Sequence, residues 1–230
     1  MRESRHQFRE SLKELENQTL GGLDLVVGQL EHTIDSLRDQ DVELAGMIVA
    51  DDDRIDGRYL EVHQGLLSLL ACQTPVAGDL RLVAALLHVI QYVERMGDQC
   101  VNIAKLVPLS GYEAPKDAEI QETVQRMGQL ACARVAQAKD AFSTRNVMSA
   151  EDLVRRDGEI TRLNREIFNR AVEVGDDPEV REWAMFMILV ARCLERIADN
   201  TAYVAEQTVF VATGLFREVT DTTSPATSLL

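Results

Sequence analysis

The chain has 230 residues, 46% of them hydrophobic but only 5% aromatic, and its 38 acidic side chains against 24 basic ones give a formal net charge of −14. Such acidity excludes direct gripping of a nucleic-acid backbone, which needs clustered Lys and Arg, and leaves no basic surface for anionic lipid. No apolar run reaches the roughly 18–20 residues of a membrane span; with a start, Met1-Arg2-Glu3-Ser4-Arg5-His6, unlike a signal peptide, the expected location is the cytoplasm.

In chain order every long segment reads as a helix. Residues 7–38 form an amphipathic run with Leu12, Leu15, Leu23, Val26, Val27, Leu30, Ile34 and Leu37 at three- and four-residue spacings. Gly21-Gly22 inside it reads as a kink or a tight packing point. A second helix is expected over about 41–71 and a third over 75–107, opened by Thr74-Pro75. Ser110-Gly111-Tyr112-Glu113-Ala114-Pro115 breaks the pattern. Three helices then recur over roughly 116–143, 147–174 and 178–213, the last opened by Asp177-Pro178. The spacing therefore predicts an all-α chain with one three-helix bundle in residues 1–110, a second in 111–216 and a loose polar tail in 217–230. Each helix of about 30 residues would be about 45 Å long, so the bundles are elongated.

The halves are a tandem repeat. Glu94-Arg95-Met96-Gly97-Asp98 recurs, with no gap and an offset of 101 residues, as Glu195-Arg196-Ile197-Ala198-Asp199. In the second and fifth helices Val49-x-x-Asp52-x-x-Ile55-Asp56 matches Val154-x-x-Asp157-x-x-Ile160-Thr161 at an offset of 105. An acid pair four residues apart lies within about 40° on a helix, so both members point the same way. Glu94 and Asp98 share their side with Val83, Leu87, Ile90, Gly97 and Val101; Glu195 and Asp199 share theirs with Ala184, Ile188, Ala191, Ala198 and Ala202. Asp52 and Asp56 are flanked by Ala45, Ile48, Ile55, Tyr59, Leu66 and Leu70, and Asp157 by Ala150, Leu153, Asn164 and Phe168.

Carboxylates on apolar stripes need compensation. The candidate ligands are Asp52, Asp56, Glu94 and Asp98, with Asn102 eight residues after Glu94, in the first half, and Asp157, Glu195 and Asp199 in the second. An oxygen-only set suits hard divalent or trivalent ions such as Mg²⁺, Mn²⁺ or iron. Thr161, standing where a second acid would repeat Asp56, makes the second set one carboxylate poorer. The competing reading is a set of buried salt bridges, with Arg95 and Arg196 reaching a neighbouring helix or subunit. Asn102 reads equally well as a hydrogen-bonding group.

Other chemistry is sparse. Cys72, Cys100, Cys132 and Cys193 contain no C-x-x-C and read as reduced core thiols. His32, His63 and His88 stand singly. A di-iron oxidase needs paired Glu-x-x-His units, and the one match, Glu3 to His6, is terminal. No nucleotide loop or nucleophile elbow is present, so no catalysis is expected. A metal-free helical scaffold and, more remotely, a carboxylate-metal redox enzyme are the alternatives.

Taken together, Ala50-x-Asp52-x-x-Ile55-Asp56, Pro75-Val76-Ala77-Gly78-Asp79-Leu80-Arg81, Glu94-Arg95-Met96-Gly97-Asp98-x-x-x-Asn102-Ile103-Ala104 and Leu194-Glu195-Arg196-Ile197-Ala198-Asp199-Asn200 resemble the PhoU family of bacterial phosphate-transport regulators. The likeness runs from about Arg5 to Gly214. It implies two three-helix bundles and multinuclear metal clusters held by E(D)-x-x-x-D motifs, which fall on Glu94/Asp98, Glu195/Asp199 and Asp52/Asp56. It also implies a non-catalytic adaptor that acts with the ATPase subunit of a phosphate ABC transporter and a sensor histidine kinase, keeping the phosphate-starvation response off when phosphate is plentiful. A homodimer is the expected assembly. The sixth-helix motif reads Ala-Asp-Asn where relatives often have Gly-Asp-His, which removes a histidine neighbour.

Overall fold

The computed structural model describes residues 2–73, 75–110, 117–155 and 158–215; Thr74, the Gly111–Lys116 junction, Asp157 and the tail lie outside the described residues. Among these, the regular structure is entirely helical. α1 (Arg2–Asp39) runs unbroken through both glycines and buries Leu12, Leu23, Val26, Leu30, Ile34 and Leu37. Gly22 is a close packing point rather than a kink: a Cβ there would lie 3.0 Å from Val93 Cγ1 on the neighbouring helix. Gln40, at φ 54°, closes α1, and its side-chain amide donates to the Leu37 carbonyl at 3.0 Å.

The single helix expected over 41–71 is two: α2 (Val42–Ala50) and α3 (Asp53–Cys72). Asp41 caps α2 by accepting from Leu44 N at 2.9 Å. The break falls at Asp51-Asp52-Asp53, where short acidic side chains compete with helical hydrogen bonding and Arg54 holds Asp51 at 2.7 Å. α4 (Ala77–Leu106) starts later than expected; Pro75 precedes it, and Val76 takes the cap position without a side-chain bond. A 3-10 turn, Val107–Leu109, follows.

The second half repeats the plan. α5 (Ala118–Thr144) is capped by Asp117, which accepts from Ile120 N at 3.0 Å. The same carboxylate takes Arg170 Nη2 at 2.7 Å, which holds its pKa below the ordinary value. The expected helix over 147–174 is described as α6 (Val147–Arg155) and α7 (Gly158–Glu173), on either side of residues 156–157, which lie outside the described residues. α8 (Pro178–Thr213) keeps the expected bounds: Asp177 accepts from Glu179 N at 2.9 Å, Pro178 opens the helix, and Gly214 ends it at φ 77°.

The fold is a tandem repeat of two elongated three-helix bundles, α1 with α3 and α4, and α5 with α7 and α8. The halves meet along two antiparallel seams. In one, Thr201 on α8 donates to Met96 Sδ on α4 at 3.6 Å, and Tyr92 stacks on Tyr203 with ring centroids 5.2 Å apart. In the other, Lys139 on α5 pairs with Asp24 on α1 at 2.6 Å, and Arg145 with Glu16 at 2.5 Å. The apolar core is continuous from Phe8 to Val209. Of the thiols only Cys100 is fully buried, and burial pushes its pKa up; Cys132 and Cys193 are partly covered. Cys72, the last residue of α3, is exposed rather than in the core.

Candidate functional site

The first acid set is assembled where α3 crosses α4. Gly97 makes the approach close: a Cβ at that position would lie 3.0 and 3.1 Å from Ile55 side-chain atoms. Seating Ile55 against Gly97 carries Asp52 and Asp56 alongside Glu94 and Asp98. Asp52 and Glu94 are partly buried, Asp56 and Asp98 exposed. Burial and like charge act together on Asp52, Glu94 and Asp98. Burial raises the pKa of Asp52, and the charges of Asp56 and Asp98 raise it further. Glu94 is raised by burial, then by Asp98 and Asp56. Asp98 is raised by burial and by Asp56. Neighbouring like charges disfavour each other's ionisation. Lys105 opposes the effect at Asp52 and Asp98. Asn102 is exposed one turn beyond Asp98.

Among the described residues no ion pair or side-chain hydrogen bond neutralises any of these four carboxylates. Their donor chemistry, oxygen only and short of positive charge, fits a hard cation. As the side chains stand, no three His, Cys, Asp or Glu residues among those described are grouped to hold one ion. The fit is thus one of chemistry rather than of a preformed cage.

The second set is arranged differently. Glu195 is 7% exposed. It accepts from Asn164 Nδ2 at 2.8 Å and from the Arg192 guanidinium, three residues earlier on α8. Asp199 also has interactions of its own, and Asn200 donates to the Arg196 carbonyl at 2.8 Å. Asp157 lies outside the described residues. The residues described here do not fit a cation site, because the buried carboxylate is already compensated. Arg192, which sequence reasoning missed, had a readable signal: a side chain three residues away is a helical neighbour. Arg95, which the salt-bridge reading sends to a neighbouring helix or subunit, lies 5.9 Å from the Tyr92 ring centroid on its own helix. Phe168, expected on a buried face beside Asp157, is 54% exposed. His63 packs its ring on Tyr59 at 5.5 Å.

No helix among the described residues is long and apolar enough to cross a membrane. The PhoU domain matches residues 22–107 and 124–208, one copy in each half. A phosphate-specific transport system accessory protein PhoU homolog from Clostridium acetobutylicum is 30% identical over 210 residues, covering 90% of this chain and 94% of the relative. The PhoU homolog 1 from Mycobacterium leprae is 27% identical over 217 residues, covering 92% and 95%. The crystal structure of the phosphate transport system regulatory protein PhoU from Streptococcus pneumoniae superposes with a TM-score of 0.85 at 26% identity, over 92% of this chain and all of that one. PhoU from Pseudomonas aeruginosa gives 0.83 at 25% identity, over 90% of this chain. These relatives are regulatory accessory proteins rather than enzymes. On the strength of two matched domains and full-length similarity, the chain belongs to the PhoU family.

Proposed function

We propose that this chain is a non-enzymatic accessory regulator of a phosphate-transport system, with a cation-responsive element in its first half. The observation that carries the second part is the close seating of Ile55 on Gly97, which sets Asp52 and Asp56 beside Glu94 and Asp98 with no ion pair to these carboxylates among the described residues; burial and neighbouring like charge raise the pKa of Asp52, Glu94 and Asp98. Glu94 and Asp98 from α4, with Asp52 and Asp56 from the α2–α3 junction, would hold a divalent or trivalent ion such as iron, Mn²⁺ or Mg²⁺, mononuclear or clustered. A bound cation would add positive charge beyond that of Lys105 and Arg95, neither of which forms an ion pair with these carboxylates among the described residues. The side chains do the rest: Gly97 sets the helix approach, and the partly buried Asp52 and Glu94 fix the inner edge of the site. The second half is held by Arg192, Glu195 and Asn164 as a salt-bridged structural element.

The regulatory part rests on similarity along nearly the whole chain to proteins named for phosphate transport. In this reading the protein works in the cytoplasm as a homodimer, contacts the transporter's ATPase subunit and a sensor histidine kinase, and represses the phosphate-starvation response. Expression of a phosphate-responsive reporter in high phosphate tests it. A deletion strain should express the reporter constitutively, and the wild-type chain should restore silence. A reporter that stays silent in the deletion strain contradicts the assignment. Restored silence with Glu94→Gln/Asp98→Asn would keep the regulator and reduce the acid site to a structural role.

A further inference from the structure

The α7–α8 hairpin turns large apolar side chains toward solvent. Phe168 and Val172 on α7 are 54% and 71% exposed, and Met185 and Leu189 on α8 are 66% and 51% exposed. The Asn164–Glu195 hydrogen bond sets the register of these antiparallel helices. Four and eight residues beyond Asn164 lie Phe168 and Val172; six and ten before Glu195 lie Leu189 and Met185. Helical periodicity puts all four on one outer face.

The fold does not require this. At the repeat offsets of 105 and 101, the equivalent first-half residues are His63, Leu67, Ala84 and His88, of which only Leu67 is large and apolar. The apolar patch is a property of the second half alone.

Its rim is basic at one end, in a chain of net charge −14, and carries the exposed Glu182 at the other. Arg165, Arg192 and Arg196 are exposed at the end of the patch nearest Glu195. Arg192 is engaged by Glu195. Among the described residues, neither Arg165 nor Arg196 forms an ion pair. The four apolar side chains present on the order of 400 Å², the scale of a functional patch on a monomer. A stable dimer buries about 800 Å² per partner, so the patch is small for a second copy. It matches two or three turns of an amphipathic helix laid across it.

We infer that the outer face of α7–α8 docks an amphipathic helix of a partner protein, with the helix's apolar row on Phe168, Val172, Met185 and Leu189 and an acidic flank on Arg165 and Arg196. The inference rests on the regulatory reading, in which a protein without turnover acts by occupying partners. Guanidinium groups take carboxylates in a two-pronged geometry. The acidic face of the first half repels the same helix, so the partner discriminates between the two repeats.

The test titrates full-length protein into two labelled helical peptides with the same Leu/Met row, one with Glu flanks and one with Lys flanks, read by fluorescence anisotropy. The chain's net charge favours the Lys-flanked peptide, so the opposite preference isolates the patch. The Glu-flanked peptide should bind at least tenfold more tightly. Phe168→Ser/Met185→Ser and Arg165→Glu/Arg196→Glu should each weaken it at least tenfold while helical circular dichroism and melting stay as in the wild type. Equal binding of the peptides, or none, overturns the inference. So does self-association, measured by sedimentation, that Phe168→Ser/Met185→Ser abolishes, because that assigns the face to a second copy. In cells, Phe168→Ser/Met185→Ser should release the phosphate reporter. Full repression by this variant, in a strain where deletion derepresses, overturns the docking surface and leaves the regulator reading intact. A silent deletion strain overturns the regulator reading, and the peptide titration still decides the surface.

Discussion

Arg192 and Glu195, three residues apart on α8, form an ion pair that distinguishes the two halves chemically. Gln91 stands at the repeat position of Arg192, and Tyr59 at that of Asn164. Glu94 therefore lacks both partners that satisfy Glu195. One duplicated motif has become a compensated structural element in the second half and an uncompensated acid cluster in the first.

Removing Arg192 should expose that difference. Arg192→Ala leaves Glu195 buried with only Asn164 as donor, and should destabilise the fold by about 1–3 kcal/mol, the usual penalty for a buried polar group that loses a partner. Glu195→Gln should recover part of the loss in the Arg192→Ala background. Urea melts of the four proteins in this double-mutant cycle measure the coupling, and additive effects would contradict the pair.

The pH dependence of the chelator-treated protein has a defined sign. The carboxyl pKa values of Asp52, Glu94 and Asp98 are raised in the folded state. Their contribution to stability is full below the unfolded carboxylate value of about 4 and is lost as pH rises through the folded values. Melting temperature should therefore rise as pH falls toward the ordinary carboxylate range. Asp117, lowered by Arg170, acts in the opposite direction, but its contribution is lost only below the ordinary carboxylate range. Asp52→Asn/Glu94→Gln/Asp98→Asn should flatten the profile; an unchanged slope would show that the cluster is not its source.

Much of the fold was legible because helical periodicity and caps are local. α8 was delimited by Asp177-Pro178 and by the end of its apolar pattern, and the 101-residue repeat paired α4 with α8 in advance. The break between α2 and α3 is signalled in the sequence only by the Asp51-Asp52-Asp53 run, whose short acidic side chains compete with helical hydrogen bonding. Convergence of Asp52 and Asp56 on Glu94 and Asp98 depends on the register between α3 and α4, which Gly97 sets through a contact with Ile55. Spacing along one helix carries no such information. The Arg192–Glu195 pair is local, and its i,i+3 spacing is readable in the sequence.

The seam between α1 and α5 gives a packing test. A Cβ at Gly128 would come within 2.5 Å of Ile34 Cγ1 and Cδ1. Gly128→Ala should destabilise by about 1–3 kcal/mol through overpacking, outweighing the gain in helix propensity. In an Ile34→Ala background the same substitution should instead stabilise by up to about 1 kcal/mol. Denaturant melts read both, and the same sign in the two backgrounds would contradict this packing.

The cation-responsive first half is tested most directly by equilibrium dialysis of Mn²⁺ against the full-length wild type, Glu94→Gln/Asp98→Asn and Glu195→Gln. The account predicts binding by the wild type and by Glu195→Gln, and its loss in Glu94→Gln/Asp98→Asn while that variant stays folded. Binding retained by Glu94→Gln/Asp98→Asn, or abolished by Glu195→Gln alone, would contradict it.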